Sequence, residues 1–193
     1  NFLANSISTP ISDIAFADQV HGNEIIEVEK GGIYEHIDGF ITTKKGLALA
    51  IQVADCAAVL FADSKAAVIS AVHAGWRGAE ADIVPKAIQK MVSLNANPKN
   101  IKVFISPCIS QKQFEVGDEV AEKFPDDFVD RSSYSKPHID IKKFIEFQLL
   151  RAGILEENIE IHGSCTFSDS EFFSYRRDGK RSGRMMGIIK LNT

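Results

Sequence analysis

The sequence predicts an α/β (α+β) fold with mixed sheets. Short apolar runs rich in Val, Ile and Ala crowd the first half of the chain. Two later segments repeat apolar residues at helical spacing. The runs and helices interleave without strict strand–helix–strand regularity. At 193 residues, 45% hydrophobic and 25% charged, the chain has enough apolar material for a sizeable core. No repeat, low-complexity tract or linker divides it, so residues 1–193 read as one domain.

Asp38-Gly39-Phe40-Ile41-Thr42-Thr43 reads as an early strand. Leu47–Val53 and Ala57–Phe61 follow, separated by Ala54-Asp55-Cys56, and then Ala66–Val72. Short apolar runs of this kind suit buried strands. They put Cys56 and His73 at or near strand ends. A helix is expected after Gly78, because Ile83, Val84, Ala87, Ile88, Met91 and Val92 form one apolar face. Asp82 can cap it, Pro85 is tolerable only in a first turn, and Asn95-Ala96-Asn97-Pro98 stops it. Ile101–Ile105 reads as a strand and Glu115–Phe124 as a short helix ending before Pro125. Ile141, Phe144, Ile145 and Leu149 mark a second amphipathic helix, ended at Gly153. Ile159–His162 and Gly187–Leu191 read as late strands.

A formal net charge of -4 argues against a general binder of nucleic acid or anionic membranes. The longest apolar stretch, Leu47–Phe61, is broken by Gln52 and Asp55 and falls short of a membrane span. Asn1-Phe2-Leu3-Ala4 lacks a basic region followed by an apolar core, so no secretory signal is expected. Cys56, Cys108 and Cys165 are odd in number and far apart. That argues against a disulfide framework and for a reducing cytoplasm. A monomer is the default expectation.

Three short motifs bear chemistry: Gln19-Val20-His21-Gly22, Ala54-Asp55-Cys56 and His73-Ala74-Gly75-Trp76-Arg77-Gly78. Two histidines and a cysteine can make a three-ligand zinc set whose fourth position stays open, the mark of a catalytic rather than a structural zinc. Taken singly, His21 reads as a turn histidine and Cys56 as a small buried hydrophobe. Cys56 also reads as a thiolate nucleophile with His73 as its base. His73, at the end of an apolar strand, must be hydrogen-bonded, ligated or wet. A hairpin or neighbouring-strand arrangement would join Cys56 to His73; nothing local forces His21 to meet them.

Residues 176–184 hold four Arg, one Lys and one Asp. Such a stretch is either a solvated basic loop or an anion site, since Arg offers phosphate a planar fork of donors. Arg77, next to Trp76, can join Arg176 and Arg177 there. Of the neighbouring aromatics, Phe172 and Phe173 are expected in the core, and Tyr175 is free to stack on a base. Asp55 and Glu115 are the candidate acids or bases, Glu115 also reading as a simple helix-start charge. His36, His138 and His162 follow no pattern, and the H-x-x-C of His162 and Cys165 is a weak signal for a second site.

Together, Q-V-H-G, A-D-C, H-A-G-W-R-G, F-E-V-G, F-F-S-Y-R-R-D-G and G-R-M, in this order, resemble the YfiH family. That family is also called laccase-domain or polyphenol-oxidase-like, and its members are described as purine nucleoside phosphorylases. The resemblance runs from about Gln19 to Ile189. It implies layered mixed β-sheets with flanking helices, similar to the catalytic domain of cytotoxic necrotising factor. It implies His21, Cys56 and His73 as metal ligands, with Cys56 and His73 at the catalytic centre. Zinc is the implied metal, with copper as the alternative. The implied substrates are phosphate and adenosine, inosine or 5'-methylthioadenosine, with adenosine deamination as a further activity. Arg77, Arg176 and Arg177 are then candidates for holding phosphate. In two places the chain departs from the pattern. The G-V-S and N-L-G signatures that precede Q-V-H-G in that family are absent, and Ser106-Pro107-Cys108-Ile109-Ser110 stands where G-P-x-I-G is usual. Three other readings compete: a copper-dependent phenol oxidase, disfavoured by only five histidines; a metal-free Cys–His hydrolase; and a non-catalytic binder of nucleotides or peptidoglycan pieces.

Overall fold

The computed structural model describes residues 8–192; Asn1-Phe2-Leu3-Ala4, read above for a secretory signal, lies outside them. The chain opens with three short strands, β1 (Ile14–Asp18), β2 (Ile25–Glu27) and β3 (Gly32–Glu35). The four apolar runs follow as β4 (Gly39–Thr42), β5 (Ala48–Val53), β6 (Ala57–Asp63) and β7 (Val68–Ala74). Next come α1 (Trp76–Glu80), α2 (Ile83–Ser93), β8 (Lys102–Ile105) and a single turn, α3 (Asp118–Ala121). The chain closes with β9 (Val129–Asp130), β10 (His138–Ile139), α4 (Ile141–Arg151), β11 (Ile159–Ile161), α5 (Tyr175–Asp178) and β12 (Met185–Lys190).

Two mixed sheets carry most of these strands. The four-stranded sheet has the order β12-β5-β1-β3, and the six-stranded sheet β11-β8-β6-β7-β4-β2. β9 and β10 form a separate antiparallel pair. Side-chain alternation sorts the six-stranded sheet into two faces. Ala58, Ile69 and Ala71 face the other sheet and pack with Ala15, Leu49, Ile51 and Val53. Val59, Phe61, Val68 and Val72 face the helices and pack with Ile83, Val84, Ala87 and Met91 of α2 and Ile141, Ile145 and Leu149 of α4. The result is sheet on sheet on helix. Phe40, Phe61, Leu49 and Ile51 are fully buried, each contributing about 1.5–3 kcal/mol of burial. Gly187 in β12 makes the close approach of the sheets feasible: a Cβ there would stand 2.5 Å from Ala58 Cβ.

The apolar runs form strands as expected, with shifted ends. The run read as Ala66–Val72 becomes Val68–Ala74, so His73 lies inside the strand. The helix expected after Gly78 is two helices, and Gly78 sits within the first. Asp82 occupies the N-cap position of α2 in a left-handed conformation (φ 60°), without a side-chain cap bond. Its carboxylate accepts instead from Gln148 Nε2 at 3.0 Å. Pro85 does fall in the first turn of α2. The helix expected over Glu115–Phe124 shrinks to Asp118–Ala121, because Glu115 and Val116 pair with the β10 region: Val116 N–H donates to Pro137 O at 2.9 Å. Phe172 and Phe173 are not core: Phe173 is 47% exposed and Phe172 meets His162 edge-on. Among the described residues, no helix is long and apolar enough to cross a membrane.

Candidate metal centre

Strand register brings two of the three motifs together. In the β6–β7 ladder Ala58 is opposite His73 and Ala57 opposite Ala74. Cys56, just before β6, is two residues from Ala58 and therefore on the same face as His73, toward the four-stranded sheet. Gly75 faces Cys56 across this end of the ladder. A Cβ on Gly75 would lie 2.9 Å from Cys56 Sγ and 3.6 Å from His21 Cδ2, so the position leaves room only for hydrogen.

His21 arrives through Asp38, a residue the sequence reading used only as the start of a strand. Asp38 is fully buried beside His73. Its Oδ1 is 2.8 Å from His73 Nδ1 and accepts from His21 N–H at 2.9 Å. Its Oδ2 accepts from Gly22 N–H at 2.6 Å and Val20 N–H at 3.3 Å. One carboxylate thus orients the His73 ring and folds the Val20–Gly22 turn around itself, with His21 in the left-handed region at φ 63°. A second clamp lies upstream. Gln19 Nε2 donates to Gln52 O and Gln19 Oε1 accepts from Gln52 N–H, both at 2.8 Å, so the side chain pairs with β5 as a strand would. Gly78 completes the seat: a Cβ there would stand 2.8 Å from Gly22 O. No specific signal in the sequence marks Asp38; once the fold buries it, the carboxylate needs several donors, and these neighbours supply them.

The ligand-capable atoms of His21, Cys56 and His73 all lie within 4.8 Å of one another, the one such group among the described residues. The His21 and His73 rings meet edge-on, 4.7 Å between centroids. Burial pushes the Cys56 thiol up, but the His21 and His73 rings outweigh it and bring the thiol down to about 7. Burial lowers His73, but Asp38 and Cys56 outweigh it and hold the ring up at about 9. Burial likewise raises Asp38, and His73 with the Gly22 and His21 amides brings it below the usual carboxylate range. A thiol drawn toward thiolate is the form that binds a metal; the buried carboxylate on Nδ1 orients the His73 ring so that Nε2 can ligate once a metal displaces its proton. Two nitrogens and one sulfur suit zinc, and also copper. The residues fit a metal.

The cluster opens into a cavity of about 780 Å³ whose wall includes Asp55, Arg77, Phe114, Tyr175, Arg176 and Arg184. Arg77 lies 4.2 Å over the Trp76 ring. Arg176 Nη1 donates to Glu115 O at 2.8 Å. Asp55, strained at φ 84°, accepts from Thr166 Oγ1 and from Arg176 N–H, both at 2.6 Å. Glu115 is outside the wall and pairs with Lys136 at 2.7 Å. Arg177 is outside it too: its guanidinium donates to Thr166 O, Phe172 O and the Asp178 carboxylate. Arg184, which the sequence reading did not single out as a site residue, is in the wall. Cys165 accepts from Ser110 N–H at 3.3 Å and forms no metal group with His162.

Comparison with known proteins bears on the fold and the family. A purine nucleoside phosphorylase of Deinococcus radiodurans is 34% identical over 98% of this chain and 74% of its own length. Another, of Corynebacterium glutamicum, is 35% identical over 99% of this chain and 79% of its own. The structure of Bacillus licheniformis hypothetical protein YfiH superposes with a TM-score of 0.93 at 29% identity, covering 99% of this chain and 79% of that one. YlmD from Geobacillus stearothermophilus gives 0.92 at 28%, covering 100% and 78%. The layered mixed sheets expected from the motifs are therefore the fold. The family model described as multi-copper polyphenol oxidoreductase laccase matches residues 1–192. With that match across the chain, and relatives above 30% identity, the protein belongs to this laccase-domain family.

Proposed function

We propose that this chain is a zinc-dependent purine nucleoside phosphorylase acting on adenosine, inosine or 5'-methylthioadenosine, with adenosine deamination as a second activity of the same site. The observation that carries the reading is one cavity that joins a His–Cys–His cluster to arginines resting on aromatic rings. The names of the relatives at 34–35% identity support it.

His21, Cys56 and His73 would hold the metal, which supplies Lewis acidity at the mouth of the cluster when bound. In phosphorolysis an oxygen of hydrogen phosphate forms a bond to ribose C1' as the C1'–N9 bond to the purine breaks, and the purine leaves with the proton that the phosphate gives up. Arginines in the wall bind and orient the phosphate. Trp76, Phe114 and Tyr175 give the base apolar or stacking surface and help to exclude water. Asp55, its two oxygens committed to Thr166 and Arg176, positions the Arg176 backbone rather than moving a proton. Asp38 keeps the proton of His73 on Nδ1, so that Nε2 serves the cluster. The chain works as a single catalytic unit, a cytoplasmic monomer, consistent with three free thiols.

Zinc is favoured over a multi-copper centre by the single three-donor group among the described residues and by five histidines in the whole chain. The deciding experiment measures metal content and separates adenine from inosine as products of adenosine, with and without phosphate. Wild type should hold about one zinc per chain and release adenine only when phosphate is present; Cys56→Ala should lose both metal and turnover. A Cys56→Ala protein that binds zinc stoichiometrically and cleaves adenosine sinks the assignment. Oxygen uptake on a phenol by copper-loaded protein, without nucleoside turnover, would favour the oxidase instead.

A further inference from the structure

Arg177 and Arg184 belong to the same basic stretch but differ in what their guanidinium groups touch. Arg177 spends its bidentate edge on a neighbour: Nε donates to Asp178 Oδ1 at 3.1 Å and Nη2 to Asp178 Oδ2 at 2.9 Å. Its Nη1 donates to the carbonyls of Thr166, Phe167 and Asp169, at 2.9, 3.2 and 3.3 Å. A guanidinium used this fully has no edge left for a second anion. Arg184 uses only Nη1, donating to Ser182 O at 3.0 Å and Gly183 O at 2.9 Å. Those two bonds fix the plane of the group and leave its Nε–Nη2 edge free, the edge that Asp178 fills on Arg177. The group lies 5.7 Å from the Tyr175 ring centroid and faces the cavity.

Two more guanidiniums share that wall. The Arg77 guanidinium makes no hydrogen bond among the described residues, and that of Arg176 keeps all but one of its donors, 5.6 Å from the Phe114 centroid. Among the described residues none of the three forms an ion pair. Of the two carboxylates in the wall, Asp55 has both oxygens occupied, which leaves Asp18. Three aromatic-backed cations that face one cavity and are tied up in no ion pair form a prepared seat for a multiply charged oxyanion.

We infer that Arg184, not Arg177, is the anion-binding residue of this cavity, presenting its Nε–Nη2 edge to a phosphoryl group, with Arg77 and Arg176 as flanking cations. The assignment rests on the reading of the cavity as the nucleoside site. The phosphoryl group is either free phosphate or the ester of a nucleotide.

The test titrates inorganic phosphate, AMP and adenosine separately into the zinc-loaded full chain by calorimetry. Arg184→Gln should weaken phosphate about ten- to a hundredfold and leave adenosine within about twofold. Arg184→Lys should recover only part of the loss, because an ammonium restores the charge without the fork. Arg177→Gln should leave phosphate affinity within about twofold while lowering the melting temperature. If Arg177→Gln does not fold, the two Arg184 variants decide alone. A loss on inorganic phosphate marks a co-substrate seat, and a loss confined to AMP marks a seat for a nucleotide's own phosphate; both uphold Arg184. Wild-type affinity of Arg184→Gln for both anions overturns the inference. Arg184-dependent phosphate binding in a wild type that never phosphorolyses adenosine would remove the proposed activity and leave the seat standing.

Discussion

Asp38 shows how much one buried side chain can organise. Its two oxygens take three amide N–H groups and one imidazole nitrogen, so the geometry of two candidate ligand residues depends on one carboxylate. Asp38→Asn keeps the shape but removes the charge and turns an NH2 group toward N–H donors. It should cost about 1–3 kcal/mol of stability by leaving buried donors unpaired. It should also weaken zinc about ten- to a hundredfold. Thermal melting and zinc competition against a chromophoric chelator measure the two separately; an unchanged zinc affinity would mean that the carboxylate does not orient His73. The sequence announced His21, Cys56 and His73 through their motifs but concealed Asp38. An aspartate before a strand looks like a turn residue until the fold buries it. Arg177 shows the converse: its place in a basic stretch resembles that of Arg176, and only the fold reveals which carbonyls accept from it.

At the scale of elements, the apolar runs β5, β6 and β7 were legible because strands buried on both faces read as continuous hydrophobic segments. β1, β2 and β3 were not. Their burial is partial and their composition ordinary, with Ile33 77% exposed on the edge strand β3. The helix expected over Glu115–Phe124 failed because tertiary pairing with the β10 region outweighed local preference. β12 was legible as a strand, but its partner was not, since antiparallel pairing with β5 joins residues more than a hundred positions apart. Gly187 makes that partnership testable. Gly187→Val places a branched side chain against Ala58 and should cost about 1–3 kcal/mol by pushing the sheets apart. Urea denaturation should show a lower midpoint with little change in slope; a variant as stable as wild type would mean that this contact is slack.

For the whole molecule, the parts of the candidate metal centre are seated by protein contacts. Cys56 and His73 are fixed by a strand ladder and His21 by Asp38, all part of the ordinary fold. Chelation should therefore leave the chain folded, unlike a small zinc finger. The loss should be the linkage contribution alone, about 2.7 kcal/mol at zinc a hundred times its dissociation constant. Melting followed by circular dichroism with EDTA and with zinc measures it, and Cys56→Ala should abolish the zinc-dependent rise. Collapse of native secondary structure on chelation would show instead that the ion holds the sheets together.

The β6–β7 ladder has a consequence in time. Side chains on a strand alternate, so a hairpin formed one residue out of register turns His73 toward the helices and away from Cys56. Only correctly registered chains present a thiol and an imidazole to the same ion. During refolding, zinc uptake would thus mark the moment at which this hairpin locks, and chains trapped in the slipped register would stay blind to the metal until they unzip.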